Sequence, residues 1–159
     1  MKAAFLKKVA RYIPTETESK ALDCLTDMNI LVDTKERKLH AALSFSRFVP
    51  EAVLWNMENS IKEVYQLNDV LINPKFIGIS FGEEHCSDLI TVFSRFDNRG
   101  VAKGFFDGCS FELDDGKLTI SLRAGLDPCY LYKVKADRFF ENCIAARFIN
   151  RVKVYFAGE

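Results

Sequence analysis

The sequence predicts an α+β fold of two tandem units, each with the element order α-α-β-β-α-β. A hairpin, a helix and a closing strand follow one another once in each half of the chain. Lys38 aligns with Lys117 and Val70 aligns with Val152, so the spacing within the two copies differs by only three residues. Similar spacing favours duplication of a small unit, although two unrelated units can share an element order.

Two short helices are expected ahead of the first hairpin. The apolar side chains of residues 2–13 recur at helical spacing, and Pro14 ends that helix. Thr15 or Thr17 can cap the helix that follows. The predicted buried faces are Phe5, Leu6, Val9 and Ile13 in the first helix and Ala21, Leu22 and Leu25 in the second.

The first hairpin is predicted at residues 29–45, where apolar and polar residues alternate on both sides of a polar turn at 33–38. A helix follows from about Pro50 to Gln66, with proline in the permitted first turn. Its apolar stripe comprises Val53, Leu54, Met57, Ile61 and Val64, and Glu51, Glu58, Lys62 and Glu63 are expected mainly outside it. A strand at 69–76 closes the unit, and Pro74 marks its end or an edge position.

The second half begins with helical elements. An amphipathic helix is predicted from the spacing of Cys86, Leu89, Ile90, Phe93 and Phe96. The polar segment Asp97–Gly100 interrupts it, and Val101–Phe106 is expected to form a short second helix.

A hairpin at residues 109–122 comes next, and Asp114-Asp115-Gly116 is its predicted turn because Asp and Gly tolerate positive φ. A long helix ends near Phe148, and a strand at 151–156 closes the unit. The residues predicted to line that helix are Ala136, Phe139, Phe140, Cys143, Ile144 and Phe148. We therefore expect a first unit at 1–76, a linker at 77–84 and a second unit at 85–159, each unit holding a small three-stranded sheet with helices packed on it.

Composition and charge narrow the class of protein. Of the 159 residues, 48% are apolar and 28% are charged, as in ordinary globular domains. The 22 basic residues balance the 22 acidic ones, which removes any general attraction to nucleic acid or to an anionic membrane. No apolar run approaches the about 20 residues that span a bilayer, and the N-terminal residues lack a signal-peptide pattern. We expect a cytoplasmic protein.

The five cysteines are not arranged as a disulfide framework. They are odd in number, widely spaced and without a Cys-x-x-Cys pair; they are Cys24, Cys86, Cys109, Cys129 and Cys143. We predict reduced and mostly buried thiols.

Candidate catalytic or metal-binding residues are few. His85 and Cys86 follow Glu83-Glu84, a pattern that could supply metal ligands or a Cys–His pair, but no second ligand cluster or third catalytic group accompanies them. We expect instead an acidic helix start with a semi-exposed histidine. His40 is predicted to be a partly exposed strand residue. The hairpin turn accounts for Asp114 and Asp115, so no bound cation is needed to explain them. Catalytic, cofactor-binding and metal-binding residues are therefore predicted to be absent.

The α-β-β-α-β order resembles the KH-type (type II) fold. KH modules clamp a nucleic-acid backbone with a Gly-x-x-Gly loop between helices. The glycine pairs here, Gly100 with Gly104 and Gly78 with Gly82, are each one residue too far apart and lie outside the expected clamp position. A KH-like fold without its clamp fits protein binding better than RNA binding.

Nearly the whole chain resembles the N-terminal region of PolC, the DNA polymerase III α subunit of low-GC Gram-positive bacteria. In the first half the resemblance rests on Phe5-Leu-Lys-Lys8, a lysine-rich hairpin ending at Phe45, and a helix that opens at Val49-Pro50. In the second half it rests on the segment Phe111–Leu122 and the closing strand Val152–Phe156. It depends on element order and apolar pattern and includes no diagnostic motif.

The PolC resemblance implies two tandem non-catalytic domains ahead of the polymerase and exonuclease modules. The first would resemble domain I of the initiator DnaA and the C-terminal domain of the clamp-loader τ subunit, both of which are protein-interaction modules. The chain would then be a fragment that cannot extend DNA itself, without cofactors and without membrane contact, and its parent would be a DNA-directed DNA polymerase with 3′-5′ exonuclease.

Three functional hypotheses follow from the sequence. The leading one is a protein-interaction region that docks replisome proteins in DNA replication, such as τ or initiator-type proteins, on an exposed apolar patch. The second is a KH-like module that binds single-stranded nucleic acid. The third is a small cytosolic enzyme that uses His85 or Cys86.

Overall fold

A computed structural model describes residues 1–96 and 102–158, with only the backbone described at 102 and 103. It confirms the predicted α+β class, because helices pack on two separate three-stranded sheets. The chain divides into two compact units, Met1–Ile79 and Ser80–Glu159. This boundary lies within the segment 77–84, where a linker was predicted.

The first unit has the element order α-α-β-β-α-β, as predicted. Its strand order is β1-β2-β3, with β1 antiparallel and β3 parallel to the central β2. The elements are α1 (Lys2–Lys8), α2 (Glu16–Asp23), β1 (Leu25–Asp33), β2 (Lys38–Phe45), α3 (Glu51–Val64) and β3 (Asp69–Phe76). Pro74 lies inside β3, which is an edge strand, so the edge position is the correct alternative.

The first helix is shorter than predicted. It ends at Lys8, and Ile13, expected in its buried face, is 85% exposed. Tyr12 is buried instead, and its hydroxyl donates a hydrogen bond to the Glu18 carboxylate. The backbone between Lys8 and Tyr12 is not part of a regular helix. Leu25 is buried as predicted, but as the first residue of β1 rather than as part of α2.

The Tyr12–Glu18 contact ties the loop to the N-terminus of α2. Thr15 caps the helix by accepting the Glu18 backbone N–H at 3.2 Å, and its hydroxyl donates to the Glu18 carboxylate at 2.9 Å. Burial raises the pKa of the Tyr12 hydroxyl above its ordinary value, and the hydrogen bond to Glu18 raises it further.

Because the pKa of Tyr12 is raised, the free energy of unfolding depends on pH in the alkaline range. Between the ordinary tyrosine pKa of about 10 and the higher folded value, the unfolded chain loses the Tyr12 proton and the folded chain keeps it, so stability falls as pH rises through this window. We expect Tyr12→Phe to remove this contribution and to cost about 1 kcal/mol at pH 7 through the lost hydrogen bond. Urea unfolding of both proteins at pH 7 and above pH 10 measures the difference. Parallel pH curves would show that Tyr12 titrates normally.

Two buried glutamates depart from the prediction for the third helix. Glu51 and Glu58 were expected outside the apolar stripe of α3, but both are almost completely buried. Glu58 is 2% exposed, and its carboxylate accepts the backbone N–H of Ile72 in β3 at 2.8 Å. A buried carboxylate is tolerated where it satisfies a buried donor.

The second unit repeats the plan with one additional helix. Its strand order is β4-β5-β6, again antiparallel and then parallel. After a 3-10 turn at Glu83–His85 come α4 (Cys86–Phe96), α5 (Ala102–Phe106), β4 (Ser110–Asp114), β5 (Lys117–Ser121), α6 (Cys129–Lys133), α7 (Ala136–Arg147) and β6 (Lys153–Ala157). The predicted interruption Asp97–Gly100 and Val101 lie outside the described residues.

The additional five-residue helix α6 was not predicted. Asp127 accepts the backbone N–H of Cys129 at 2.9 Å through its carboxylate, Pro128 precedes the first turn, and Leu131 is fully buried. A single buried residue gives no periodicity to detect.

The hairpin turn of the second unit forms where it was predicted. Asp115 has φ 46° and Gly116 has φ 75°, the two positive values that a tight two-residue turn requires. Segment 77–84 is only partly a connection, because Phe81 is buried against Phe148 and its N–H donates to Asn150 Oδ1 at 2.7 Å. From Phe81 onward the segment packs in the second unit.

Candidate interaction surfaces

His85 has a structural place in the second unit. Its side chain is buried, which corrects the prediction of a semi-exposed histidine. Nδ1 accepts the backbone N–H of Gly82 at 3.0 Å, and the ring lies 4.8 Å from the ring of Phe148 between centroids. The imidazole therefore fixes the start of the helical segment and packs in the core.

Cys86 follows His85 but is poorly suited to nucleophilic chemistry. Burial raises the pKa of its thiol to about 12, and the negative charges of Glu83 and Glu84 act in the same direction. Thiolate is the reactive form, and a group with this pKa holds very little of it at neutral pH. Glu83 and Glu84 are exposed at the start of the turn, as the predicted acidic helix start requires.

The remaining candidate residues are dispersed. His40 is a partly exposed residue of β2, as predicted, and its Nε2 lies 3.3 Å from the Asp69 carboxylate. Asp114 ends β4, and Asp115 forms the turn. Within residues 1–96 and 102–158, no three His, Cys, Asp or Glu side chains are grouped so that they could hold a metal ion.

Gly78 and Gly82 do not lie in a loop between two helices. Gly78 follows β3 with φ 74°, and Gly82 precedes the 3-10 turn of the second unit. Gly104 lies inside α5, while Gly100 is outside the described residues.

The five cysteines are not mostly buried, which corrects the prediction of buried thiols. Only Cys86 is buried; Cys129 is exposed at the start of α6, and the other three are half-buried. The Asp127 carboxylate raises the pKa of the Cys129 thiol through a hydrogen bond and its negative charge.

Exposure and thiol pKa together predict the order of alkylation. We expect iodoacetamide to modify Cys129 first and Cys86 last, because access differs and the Cys86 thiolate is disfavoured. Asp127→Asn should speed Cys129 modification severalfold by removing the charge that disfavours the thiolate. Peptide mass spectrometry over a time course measures both rates, with Cys86 as the internal reference. Early modification of Cys86 would contradict this account of its environment.

A groove with both apolar and polar lining residues opens on the first unit beside the loop that follows α1. Ile13 is 85% exposed there, and Val64 at the end of α3 is also exposed. The Arg11 backbone N–H donates to the Tyr65 hydroxyl at 3.0 Å, which holds the loop against the helix end. The groove has a volume of about 470 Å³ and is lined by Arg11, Tyr12, Ile13, Ser60, Glu63 and Val64.

The uncovered face of the second sheet carries a basic and aromatic cluster. Lys117 and Lys153 are register partners on β5 and β6, and the Lys117 Nζ lies 4.7 Å from the centre of the Tyr155 ring. Glu112 and Asp114 occupy the same face on β4, because they share the alternation of the exposed positions. The cluster is therefore small and bordered by acidic side chains.

Glutamates cover equivalent sheet edges in the two units. Glu58 of α3 accepts the outward N–H of Ile72 in β3, and Glu141 of α7 accepts that of Val154 in β6 at 2.9 Å. These residues occupy matching places in helix and strand, so the contact is shared by the two copies. Unpaired edge amides invite added strands, and a carboxylate acceptor from a packed helix blocks them.

Comparisons with known proteins assign no family. The chain matches no protein-family model and no curated protein. It is similar to a solved structure of the PrgH periplasmic domain, with 17% identity and a TM-score of 0.28 over 86% of this chain and 61% of that one. It is also similar to the periplasmic domain of the T3SS inner membrane protein PrgH from S. typhimurium, with 17% identity and a TM-score of 0.27 over 85% and 67%. TM-scores this low carry no information about function. Among the described residues, no helix has both the length and the apolar character needed to cross a membrane.

Proposed function

We propose that this chain is a non-catalytic protein-interaction region of a bacterial replicative DNA polymerase, the N-terminal region of a PolC-type DNA polymerase III α subunit. Its role is to dock replisome partners such as the clamp-loader τ subunit or an initiator. The two tandem α+β units agree with what the PolC resemblance implies for this region.

The observation that carries the proposal is the exposure of two apolar side chains, Ile13 and Val64, in the groove of the first unit. Ile13 and Val64 present apolar surface beside the charged Arg11 and Glu63, a combination typical of protein-binding surfaces. Exposed apolar side chains at such a site are stabilised when a partner covers them.

Binding to purified τ and initiator protein tests the proposal. With the chain immobilised for biolayer interferometry, we expect at least one of the two proteins to bind, and Ile13→Asp to weaken that binding at least about tenfold, the scale of a central interface residue. Ile149→Asp is the matched control, because Ile149 is 63% exposed but lies in the second unit. Binding of neither protein would contradict the proposal.

A second candidate function is single-stranded nucleic-acid binding by the second unit. The Lys117, Lys153 and Tyr155 cluster offers the positive charge and ring surface that such binding uses. Fluorescence anisotropy with a labelled oligothymidylate tests it: binding that weakens with added salt and is lost on Lys117→Ala with Lys153→Ala would favour this function. Anisotropy that stays unchanged would remove it.

A further inference from the structure

We propose that β1 of the first unit binds an extended peptide of a partner protein as a fourth strand of the sheet, with a lysine or arginine of that peptide beside Asp27. This inference rests on the proposed function, since it names a second docking surface of the first unit, in addition to the groove at Ile13, and the chemistry of the partner.

The direction of the β1 amides follows from the alternation of the ladder. Met28 donates its N–H to the Asp27 carboxylate at 2.9 Å rather than to β2. In an antiparallel pair alternate residues bond across the ladder, so the N–H groups of Ile30 and Val32 also point away from β2. Within the described part of the chain, neither of these two outward amides donates to an acceptor.

Two successive outward positions are covered on each of the edge strands β3 and β6. In β3, Ile72 bonds to Glu58, and Pro74, at the next outward position, has no N–H. In β6, the outward N–H groups of Val154 and Phe156 are accepted by Glu141 and the Tyr132 hydroxyl.

The edge of β4 has one covered amide as well. Leu113 donates its N–H to the Glu83 carboxylate at 3.1 Å. Strand β4 has only five residues, whereas β1 has nine. The first unit therefore presents the longest edge with adjacent open amides.

The sequence of β1 lacks the usual protection of an edge strand. No charged residue or proline lies between Asp27 and Asp33, and the register irregularity at Leu25 precedes this segment. Leu31 is 66% exposed and Val32 is 57% exposed. Natural edges are normally blocked by lysine, proline or a bulge, so an open apolar edge indicates strand addition.

A depression beside the edge could receive a side chain of the added strand. It has a volume of about 230 Å³ and is lined by Leu31, Val32, Asp33, Lys38 and His40. Backbone pairing along β1 would be combined with a side-chain pocket at its end, as in other complexes formed by strand addition.

Charge determines which occupant fits. A second copy paired antiparallel over the whole uncharged segment would place Asp27 opposite Asp33 at both ends, and opposed like charges destabilise strand pairs. Within the unit Lys38 is the register partner of Asp33, whereas Ser44 is that of Asp27. The uncompensated charge is thus at Asp27, which favours a peptide with a basic residue there.

Backbone hydrogen exchange on the full chain tests the inference without any substitution. The probe is a peptide of alternating valine and threonine with a lysine at each end; the control peptide has glutamates at the ends. We expect the lysine peptide to slow exchange of the Ile30 and Val32 amides and the glutamate peptide to act at least about tenfold more weakly. Unchanged exchange at both amides would overturn the inference.

Substitutions separate the backbone and charge contributions. Val32→Pro removes an outward N–H that β2 does not use and should abolish peptide binding, while Val32→Thr keeps the amide and should retain it. Asp27→Asn preserves the acceptor for Met28 and should weaken only the lysine peptide. If Val32→Pro fails to fold, judged by urea unfolding, Asp27→Asn and the exchange experiment still decide.

Failure of this inference is distinguishable from failure of the proposed function. If Val32→Pro is folded and binds τ or initiator as tightly as the unsubstituted chain, β1 is not the docking edge and the proposed function stands. If the unsubstituted chain binds neither protein, the proposed function fails, and peptide titration alone decides about β1.

Discussion

Phe140→Ala is expected to lower the free energy of unfolding by about 3–5 kcal/mol, the usual cost of removing a buried phenylalanine ring. Phe140 is completely buried in α7. Its ring has neighbours on four sides, with centroid distances of 5.0 Å to Phe93, 5.5 Å to Phe106, and 6.0 Å to both Phe139 and Phe156. Truncation removes buried apolar area and leaves a cavity among rigid rings that cannot collapse to fill it.

Urea unfolding followed by circular dichroism measures this loss. Phe96→Ala is the matched control, because Phe96 lies in the same aromatic group but is partly exposed, and its truncation should cost far less. A loss that large is a substantial part of the about 5–15 kcal/mol that stabilises a typical domain. Equal effects of the two substitutions would show that the core of the second unit is not centred on Phe140.

Glu58→Ala is expected to cost about 2–3 kcal/mol, because it leaves the buried Ile72 amide without its acceptor. Glu58 is almost completely buried and reaches Ile72 at 2.8 Å. Glu58→Gln keeps a side-chain oxygen at the same distance along the helix and should cost much less. Glu141→Ala repeats the change at the matching site of the second unit, where the carboxylate is only half-buried, so its cost should be smaller.

The single tryptophan, Trp55, reports unfolding around α3 directly. Its fluorescence during urea titration gives the free energy for the Glu58 variants. If Glu58→Ala and Glu58→Gln unfold at the same urea concentration, the hydrogen bond to Ile72 does not stabilise the unit. Covering the β3 edge with Glu58 would then contribute nothing to stability.

Element order could be predicted from the sequence because its signals are local. Alternation located both hairpins, and the Asp115-Gly116 turn followed from the backbone conformations that those residues allow. The extent of α1 could not be predicted, since Ile13 fits the helical pattern but Tyr12 is the residue that packs, through a contact with Glu18 in the next helix. Tertiary contacts of this kind override local spacing.

The sequence predicted that an exposed apolar patch would bind partners, but it did not predict which residues form that patch. Neither Ile13 nor Val32 is distinguishable from a core residue in the sequence, because both lie in apolar patterns that elsewhere are buried. The covering of edges by Glu58 and Glu141 has a weak signal, namely a glutamate at matching places of the two long helices. Its recognition requires the register of β3 and β6, which no single helix pattern contains.

Capture of purified τ and initiator by the immobilised chain tests the central claim most directly. The account predicts that one of them binds, that Ile13→Asp weakens the complex at least about tenfold, and that Ile149→Asp leaves it unchanged. Binding of neither protein, together with salt-sensitive binding of the oligothymidylate, would contradict the interaction role and favour the nucleic-acid function instead.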